Sequence, residues 1–270
     1  DGKGGIYNFC KQWVITDKEI ICNTIHGFKM MLDLREPMQN RIYWYRNYDE
    51  KNEALLVKRL LKRGDIFYDI GANVGFYSLL ASTIVGLKGS VVSFEPNISA
   101  FNKLKKNIEI NRRVPIHAFN FALGSEEKEG ILYSKSLLPD GCASLIEPQR
   151  GDYAEKVRIR RLDTIMEELK LPKPDFVKID VEGYEVYVIE SASHILSPEN
   201  APMILIEMTN NKKTIIDNLS RFGYLAAELY KGKWYRIIDP EKARSRNLFW
   251  YKDVHKEKLG SLIWKTSFIL

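Results

Sequence analysis

From Ile66 onwards the chain alternates short apolar runs with helically spaced segments, and that alternation leaves few folds open to it. "DIFYDI" leads into "NVGFYSLLASTIVG", "SVVSFE" leads into "ISAFNKLKKNIEIN", and "IHAFNFAL" supplies a third extended run. The order resumes with "PDFVKID", "EVYVIESASHIL", "APMILIE" and "KKTIIDNLSRFG", then two more extended runs, "YLAAELY" and "KWYRIID". Strand-length apolar runs alternating with helices predict βαβ units, and so a doubly wound, mainly parallel α/β sheet. "GILYSKS" and "KVRIRRL" read as a local edge pair around the loop "LLPDGCASLIEPQRGDY".

The flanks read differently. "QWVITDKEIICNTIHGFKMMLDL" alternates apolar and polar residues around two turn signals, which predicts short antiparallel strands. "DEKNEALLVKRLLKRGD" has leucines at helical spacing, acids in its first turn, bases in its last and Gly64 as a stop. The end, "RNLFWYKDVHKEKLGSLIWKTSFIL", mixes bases with large apolar side chains and predicts a terminal helix packed on the sheet. The expected division is a β-rich cap over 1–48, a ligand-binding domain over 49–240 and a basic, aromatic, helical extension over 241–270.

A chain of 270 residues can bury a full core. Its formal charge of +6 comes from lysines and arginines spread among acids, which describes a mixed solvated surface rather than a nucleic-acid stripe. Nucleic acid is therefore not the expected partner. Cys10, Cys22 and Cys142 show neither paired spacing nor a C-x-x-C, so a disulfide framework or zinc site is not expected, and a reducing, cytoplasmic setting is. No apolar run approaches the ~20 residues that span a bilayer, and no signal peptide is visible. The start at Asp1 rather than methionine leaves room for an upstream segment, and oligomeric state is not legible.

The turn "DIGANVG" sits between a strand and a helix, where glycine lets backbone approach a ligand closely. Gly71 and Gly75 meet that need, but the dinucleotide fingerprint G-x-G-x-x-G has a glycine where Asn73 stands, which argues against a pyrophosphate. Asp69, at the end of the strand, would repel phosphate as well. The next strand ends in "SFEPN", placing Glu95 about twenty residues on, where a carboxylate grips a ribose diol. A nucleoside without phosphates, carrying a positive charge and an amino-acid tail, satisfies both sites. S-adenosylmethionine is such a molecule.

"DIGANVGFYSLLAS", "FEPN", "FALGS" and above all "VKIDVEGYEVYVIESASHIL" followed by "ILIEM" resemble the FkbM family of S-adenosylmethionine-dependent methyltransferases, over about Asp49 to Met208. The resemblance implies a class I methyltransferase (Rossmann-like) fold with a seven-stranded sheet, and methyl transfer to oxygen on sugars or natural products. It further implies that Asp69, Gly71, Asn73 and Gly75 line the methionine part of the cofactor, that Glu95 meets its ribose with Pro96 also among the cofactor-binding residues, and that Asn120 and Ala122 approach the adenine edge. Glu50 matches a family glutamate ahead of the first strand that faces the methionine end, and Ser144, in "GCASL", matches a family serine, so the resemblance counts both among the cofactor-binding residues.

In open parallel sheets ligands bind beyond the carboxyl ends of the strands, so Asp180 points into the same crevice as Asp69 and Glu95, and Glu207 ends "MILIE" in the same way. Such carboxylates orient an acceptor hydroxyl, remove its proton or hold a divalent cation that does so. Glu182 reads either as a base or as a link to Lys178, and Glu185 as a helix-dipole partner. The catalytic set is thus Asp180, Glu182 and Glu207, with Asp180 also expected beside the cofactor. Related sugar methyltransferases hold magnesium with acids after the fourth and fifth strands, and Asp180, Glu207 and Asn210 would imitate that set, suiting magnesium or manganese rather than zinc. His26, His117, His194 and His255 read as packing or surface residues. The expected acceptor is a hydroxylated small molecule or glycan; the competing readings are a nucleic-acid methyltransferase, a nicotinamide-dependent oxidoreductase and a cofactor-binding scaffold without turnover.

Overall fold

A computed structural model describes residues 19–48, 50–111, 115–134, 143–146, 153–209, 211–260 and 262–264. Asn210, Cys10 and Cys142 lie outside them, and Cys22 is buried with a free thiol. Strands β1 (Glu19–Asn23) and β2 (Lys29–Asp33) form the expected antiparallel hairpin, closed by Thr24 N–H donating to Phe28 O at 2.9 Å and by Gly27 at φ 84°. Helices α1 (Pro37–Tyr45) and α2 (Lys51–Leu60) follow; α2 has Glu53 in its first turn and Lys58 and Arg59 in its last, and it buries Ala54, Leu56, Val57 and Leu60.

The doubly wound unit then runs β3 (Ile66–Ile70), α3 (Phe76–Val85), β4 (Ser90–Phe94), α4 (Ile98–Glu109) and β5 (Ile116–Phe119). After a satellite sheet and α5 (Leu162–Glu168) come β9 (Phe176–Ile179), the short α6 (Glu185–Glu190) and α7 (Ser193–Leu196), and β10 (Met203–Glu207). Helix α8 (Lys212–Arg221) leads to β11 (Leu225–Tyr230), β12 (Lys233–Ile237) and β13 (Asn247–Tyr251), with α9 (Lys256–Leu259) and β14 (Ile263–Trp264) last. Among the described residues the main sheet has nine strands in the order β14-β12-β11-β13-β10-β9-β3-β4-β5.

Strands β5, β4, β3, β9 and β10 are mutually parallel, while β13 enters antiparallel between β10 and β11. The fold is the expected class I methyltransferase arrangement, in which seven strands from β5 to β11 make the sheet and β12 and β14 extend its edge. Period-2 side chains divide the core. Phe67, Val91, Phe176, Leu205 and Phe249 pack with the hairpin's Phe28, Met30 and Leu32 on one face. Tyr68, Val92, Phe94, Val177, Ile204 and Trp250 pack with Leu162, Val188, Ile189 and Ile215 on the other.

Two local expectations are corrected. "IHAFNFAL" is two strands rather than one, because the chain leaves the main sheet after Phe119, and β6 (Ala122–Leu123) pairs in parallel with β8 (Tyr153–Arg160). Strand β8 pairs antiparallel with β7 (Lys128–Ser134), which is the expected edge pair. The expected terminal helix begins instead as β13. "NLFWY" is a continuous apolar run because a strand between β10 and β11 is covered on both faces, and such runs lack the alternation that marks a strand.

Candidate active site

The turn after β3 is built around a contact that only a bare backbone allows. Gly71 has φ 82°, and a β-carbon there would lie 1.8 Å from Asp180 O, so glycine lets the β3 turn pass against the end of β9. The N–H groups of Gly71 and Ala72 both donate to Phe94 O, at 2.9 and 3.0 Å. Asn73, at φ 49°, donates its N–H to Glu95 Oε2 at 2.7 Å, while Asn97 N–H donates to Oε1 at 2.9 Å. The acid on β4 is therefore joined to the turn on β3 by backbone. Burial raises the Glu95 pKa to about 7, and the two amides partly oppose that rise. Asn73 lines the cavity, and its buried Oδ1 has no hydrogen-bond partner.

Beneath the turn, Asp69 is buried and accepts from Ser78 Oγ at 2.5 Å, with Ser78 Oγ 2.8 Å from Ser93 Oγ. Burial raises the Asp69 pKa. Glu50, at the N-cap of α2, accepts from Tyr77 O–H at 2.8 Å and from Asn247 Nδ2 at 2.9 Å, which ties the first helices to β13. Lys178 is buried in β9, with its Nζ 2.7 Å from Asp180 Oδ2 and 4.7 Å from the centre of the Tyr77 ring. Burial disfavours its charge, but Asp180, Glu50 and Asp69 outweigh that and hold it protonated above the usual lysine range.

The third group is the acidic edge. Carboxylate oxygens of Asp180, Glu182 and Glu207 lie within 4.8 Å of one another. Asp180 and Glu207 are hydrogen-bonded, and Glu207 Oε1 is 2.7 Å from Arg246 Nη2. Burial, then the charge of Asp180, raises Glu207 to about 9; burial also works against the Asp180 anion, but Lys178 and the Glu207 bond hold its pKa below the ordinary value. Glu207 is thus the protonated donor of the pair near neutral pH, a division seen where two carboxyls share a site. Glu182 is raised to about 7 by burial and by Asp180. Its backbone is left-handed, φ 51°, a conformation that costs a non-glycine residue about 1–3 kcal/mol and persists only where surroundings enforce it. With Lys178 and Arg246 paired to this cluster and a proton shared within it, its charge is compensated without a divalent ion.

All of this opens into one cavity of about 300 Å³, at the small end of the range for ligand sites. Glu50, Asp69, Gly71, Asn73, Glu95, Pro96, Ala122, Asp180, Glu182 and Glu207, each named above from sequence, line it. Gly75, Asn120 and Ser144 do not. Gly75 has φ 93°, and a β-carbon there would meet Leu104 Cδ1 at 2.4 Å, so its glycine serves the packing of α3 on α4. Asn120 donates from Nδ2 to Glu95 O and Pro96 O at 2.9 and 2.8 Å, bracing the β4 turn from behind. Ser144 donates to the carbonyl of Glu182 at 2.7 Å.

Lys178, Tyr48, Tyr77, Arg41, Tyr184 and Arg246 line the cavity without having been singled out as site residues. The signal for Lys178 was a lysine in the middle of an apolar strand, which needs an acid beside it. None of the four histidines lines the cavity; His26 Nε2 bonds Asn47 Oδ1 at 2.7 Å in the hairpin layer.

Residues 69–229 match the Methyltransferase FkbM domain family. The Hexuronic acid methyltransferase AglP of Haloferax volcanii is 26% identical over 191 residues, which cover 69% of this chain and 75% of that protein. The AMB antimetabolite synthetase AmbE of Pseudomonas aeruginosa is 26% identical over 160 residues, 46% of this chain but only 7% of that protein. Among solved structures, a SAM-dependent O-methyltransferase from Thermotoga maritima aligns over 87% of this chain and 77% of its own at 14% identity, with a TM-score of 0.42.

Proposed function

The chain belongs to the FkbM family of S-adenosylmethionine-dependent methyltransferases, and from that premise we propose that it methylates a hydroxyl oxygen of a sugar or glycan. The observation that carries this reading is one cavity with the amide-held carboxylate of Glu95 on one side and the Asp180, Glu182 and Glu207 cluster on the other. From β4 across β3 and β9 to β10 is three strand spacings, about 14 Å, enough to seat a nucleoside beside an acceptor.

When bound, S-adenosylmethionine supplies a sulfonium methyl group. Glu95 would hold the ribose hydroxyls through lone pairs that the Asn73 and Asn97 amides leave open. Asn73 would offer its unpartnered Oδ1 to a donor of the ligand, and Asp69 and Glu50 line the same cavity. Glu182 would take the acceptor proton as the oxygen receives the methyl group, the donor sulfur keeping the electron pair of the bond that breaks. Its pKa of about 7 suits a base at neutral pH, whereas Asp180, locked to Lys178 and Glu207, orients the acceptor. In-line placement contributes the larger share of the acceleration. The relative named for hexuronic acid makes acidic sugars the first acceptors to assay.

The test is release of S-adenosylhomocysteine from S-adenosylmethionine in the presence of hexose or hexuronic acid glycosides, with RNA as the competing acceptor. Sugar-dependent release is expected, and release with RNA alone would reverse the assignment. Because Lys178 and Arg246 already pair with the acidic cluster, the rate is expected to survive a chelator. A chelator-sensitive rate restored by magnesium or manganese would instead make Asp180, Glu182 and Glu207 metal ligands.

A further inference from the structure

Among the described residues Glu182 is the only cavity-lining acid whose backbone is left-handed, and that conformation is held from outside its own turn. Downstream, Gly183 at φ 104° donates its N–H to Glu185 Oε1 at 2.9 Å, and the other oxygen of this fully buried acid accepts from Thr209 Oγ1 at 2.8 Å. These bonds hold the residues after Glu182. The carbonyl of Glu182 itself is bonded by Ser144 Oγ at 2.7 Å, from a segment 38 residues earlier in the chain.

Ser144 is in turn fixed to the satellite sheet. Its backbone exchanges two hydrogen bonds with Tyr133 of β7, at 2.8 and 2.9 Å, and its hydroxyl accepts from Ile146 N–H at 3.1 Å. The flanking Ala143 and Leu145 line the cavity while Ser144 does not, so its hydroxyl is spent on the main chain of Glu182 rather than on a ligand. We infer that Ser144 is a positioning residue: it locks the Glu182 carbonyl and with it the left-handed turn that aims the Glu182 carboxylate into the cavity. The satellite sheet β6-β8-β7 thereby sets the geometry of the base, although it contributes no strand to the main sheet. A serine expected to bind the cofactor acts instead on the residue that deprotonates the acceptor. This rests on the reading of Glu182 as the base.

The experiment is a double-mutant cycle read by kcat and by the calorimetric Kd for S-adenosylmethionine. Ser144→Ala is expected to lower kcat by about tenfold, the upper end for one lost hydrogen bond, and to leave the cofactor Kd within about twofold, which also shows that the variant is folded. Ser144→Thr, which keeps the hydroxyl, is expected to restore most of the rate. In a Glu182→Gln background, Ser144→Ala is expected to cost nothing further, because its effect travels through Glu182. An additive loss in that background, or a Kd weakened in step with kcat, would overturn the positioning role while leaving Glu182 as base. A Glu182→Gln enzyme with wild-type kcat would instead remove the base assignment and the inference with it.

Discussion

Glu95 carries two opposed demands. Its burial favours the protonated form, yet the ribose diol proposed for it needs the ionised form as a double acceptor. Affinity for S-adenosylmethionine is therefore expected to weaken as pH falls below about 7, and Glu95→Ala to weaken it at every pH; calorimetry across pH 5.5–8.5 reads both. The stability linkage has the opposite sign. A carboxyl whose folded pKa lies above its unfolded value favours the folded state most below about 4.5, and that contribution is lost as pH rises through about 7. Glu95→Gln should then raise the ligand-free Tm at pH 8 by a few degrees while binding suffers. An unchanged Tm would contradict the buried charge.

Glu182 gives the kinetic counterpart: if it accepts the proton when ionised, kcat should climb as pH rises through about 7, and Glu182→Gln should flatten that limb and lower the plateau by about 10²–10⁴. At this scale the acids were legible in the sequence because each closes an apolar strand or follows a glycine turn, as Asp69, Glu95, Asp180 and Glu207 do. Their partners were less so. The sequence offers Lys178 as a link for Glu182, but it pairs with Asp180, and Arg246 reaches Glu207 from a segment distant in sequence. A salt bridge depends on where two strands end in space, which no local spacing encodes.

Among the elements, β13 shows why long-range pairing escapes local pattern. Phe249 stacks on Phe176 and on Tyr251 and is fully buried, so the strand that sequence placed in a peripheral extension lies in the middle of the sheet. Phe249→Ala is expected to cost about 3–5 kcal/mol, measured by denaturant unfolding. A loss below about 1 kcal/mol would mean that the strand is peripheral after all. By contrast β3, β4, β9 and β10 were readable because each is bounded by glycine, proline or an acid and followed by helical spacing. Asn120, which braces the β4 turn, marks where the third apolar run breaks into β5 and β6, and nothing in "IHAFNFAL" signals that exit.

On the scale of the whole molecule, the parallel strand ends gather both halves of the chemistry on one side of the sheet, the hairpin and first helices close one flank, and the satellite sheet fastens the Glu182 turn at another. Class and cofactor follow from that arrangement because strand order dictates which turns share a crevice. No helix among the described residues is long and apolar enough to cross a membrane. The remaining walls of the cavity are drawn from α1, the segment around Ser144 and Arg246, parts whose juxtaposition only the fold reveals. The most direct measurement is nuclear magnetic resonance of the product made from a hexuronic acid glycoside and methyl-labelled S-adenosylmethionine. The label should appear as a methyl ether on a sugar oxygen, formed by the wild type and lost in Glu182→Gln; an unlabelled sugar, with the methyl group found on RNA or on nitrogen, would contradict the account.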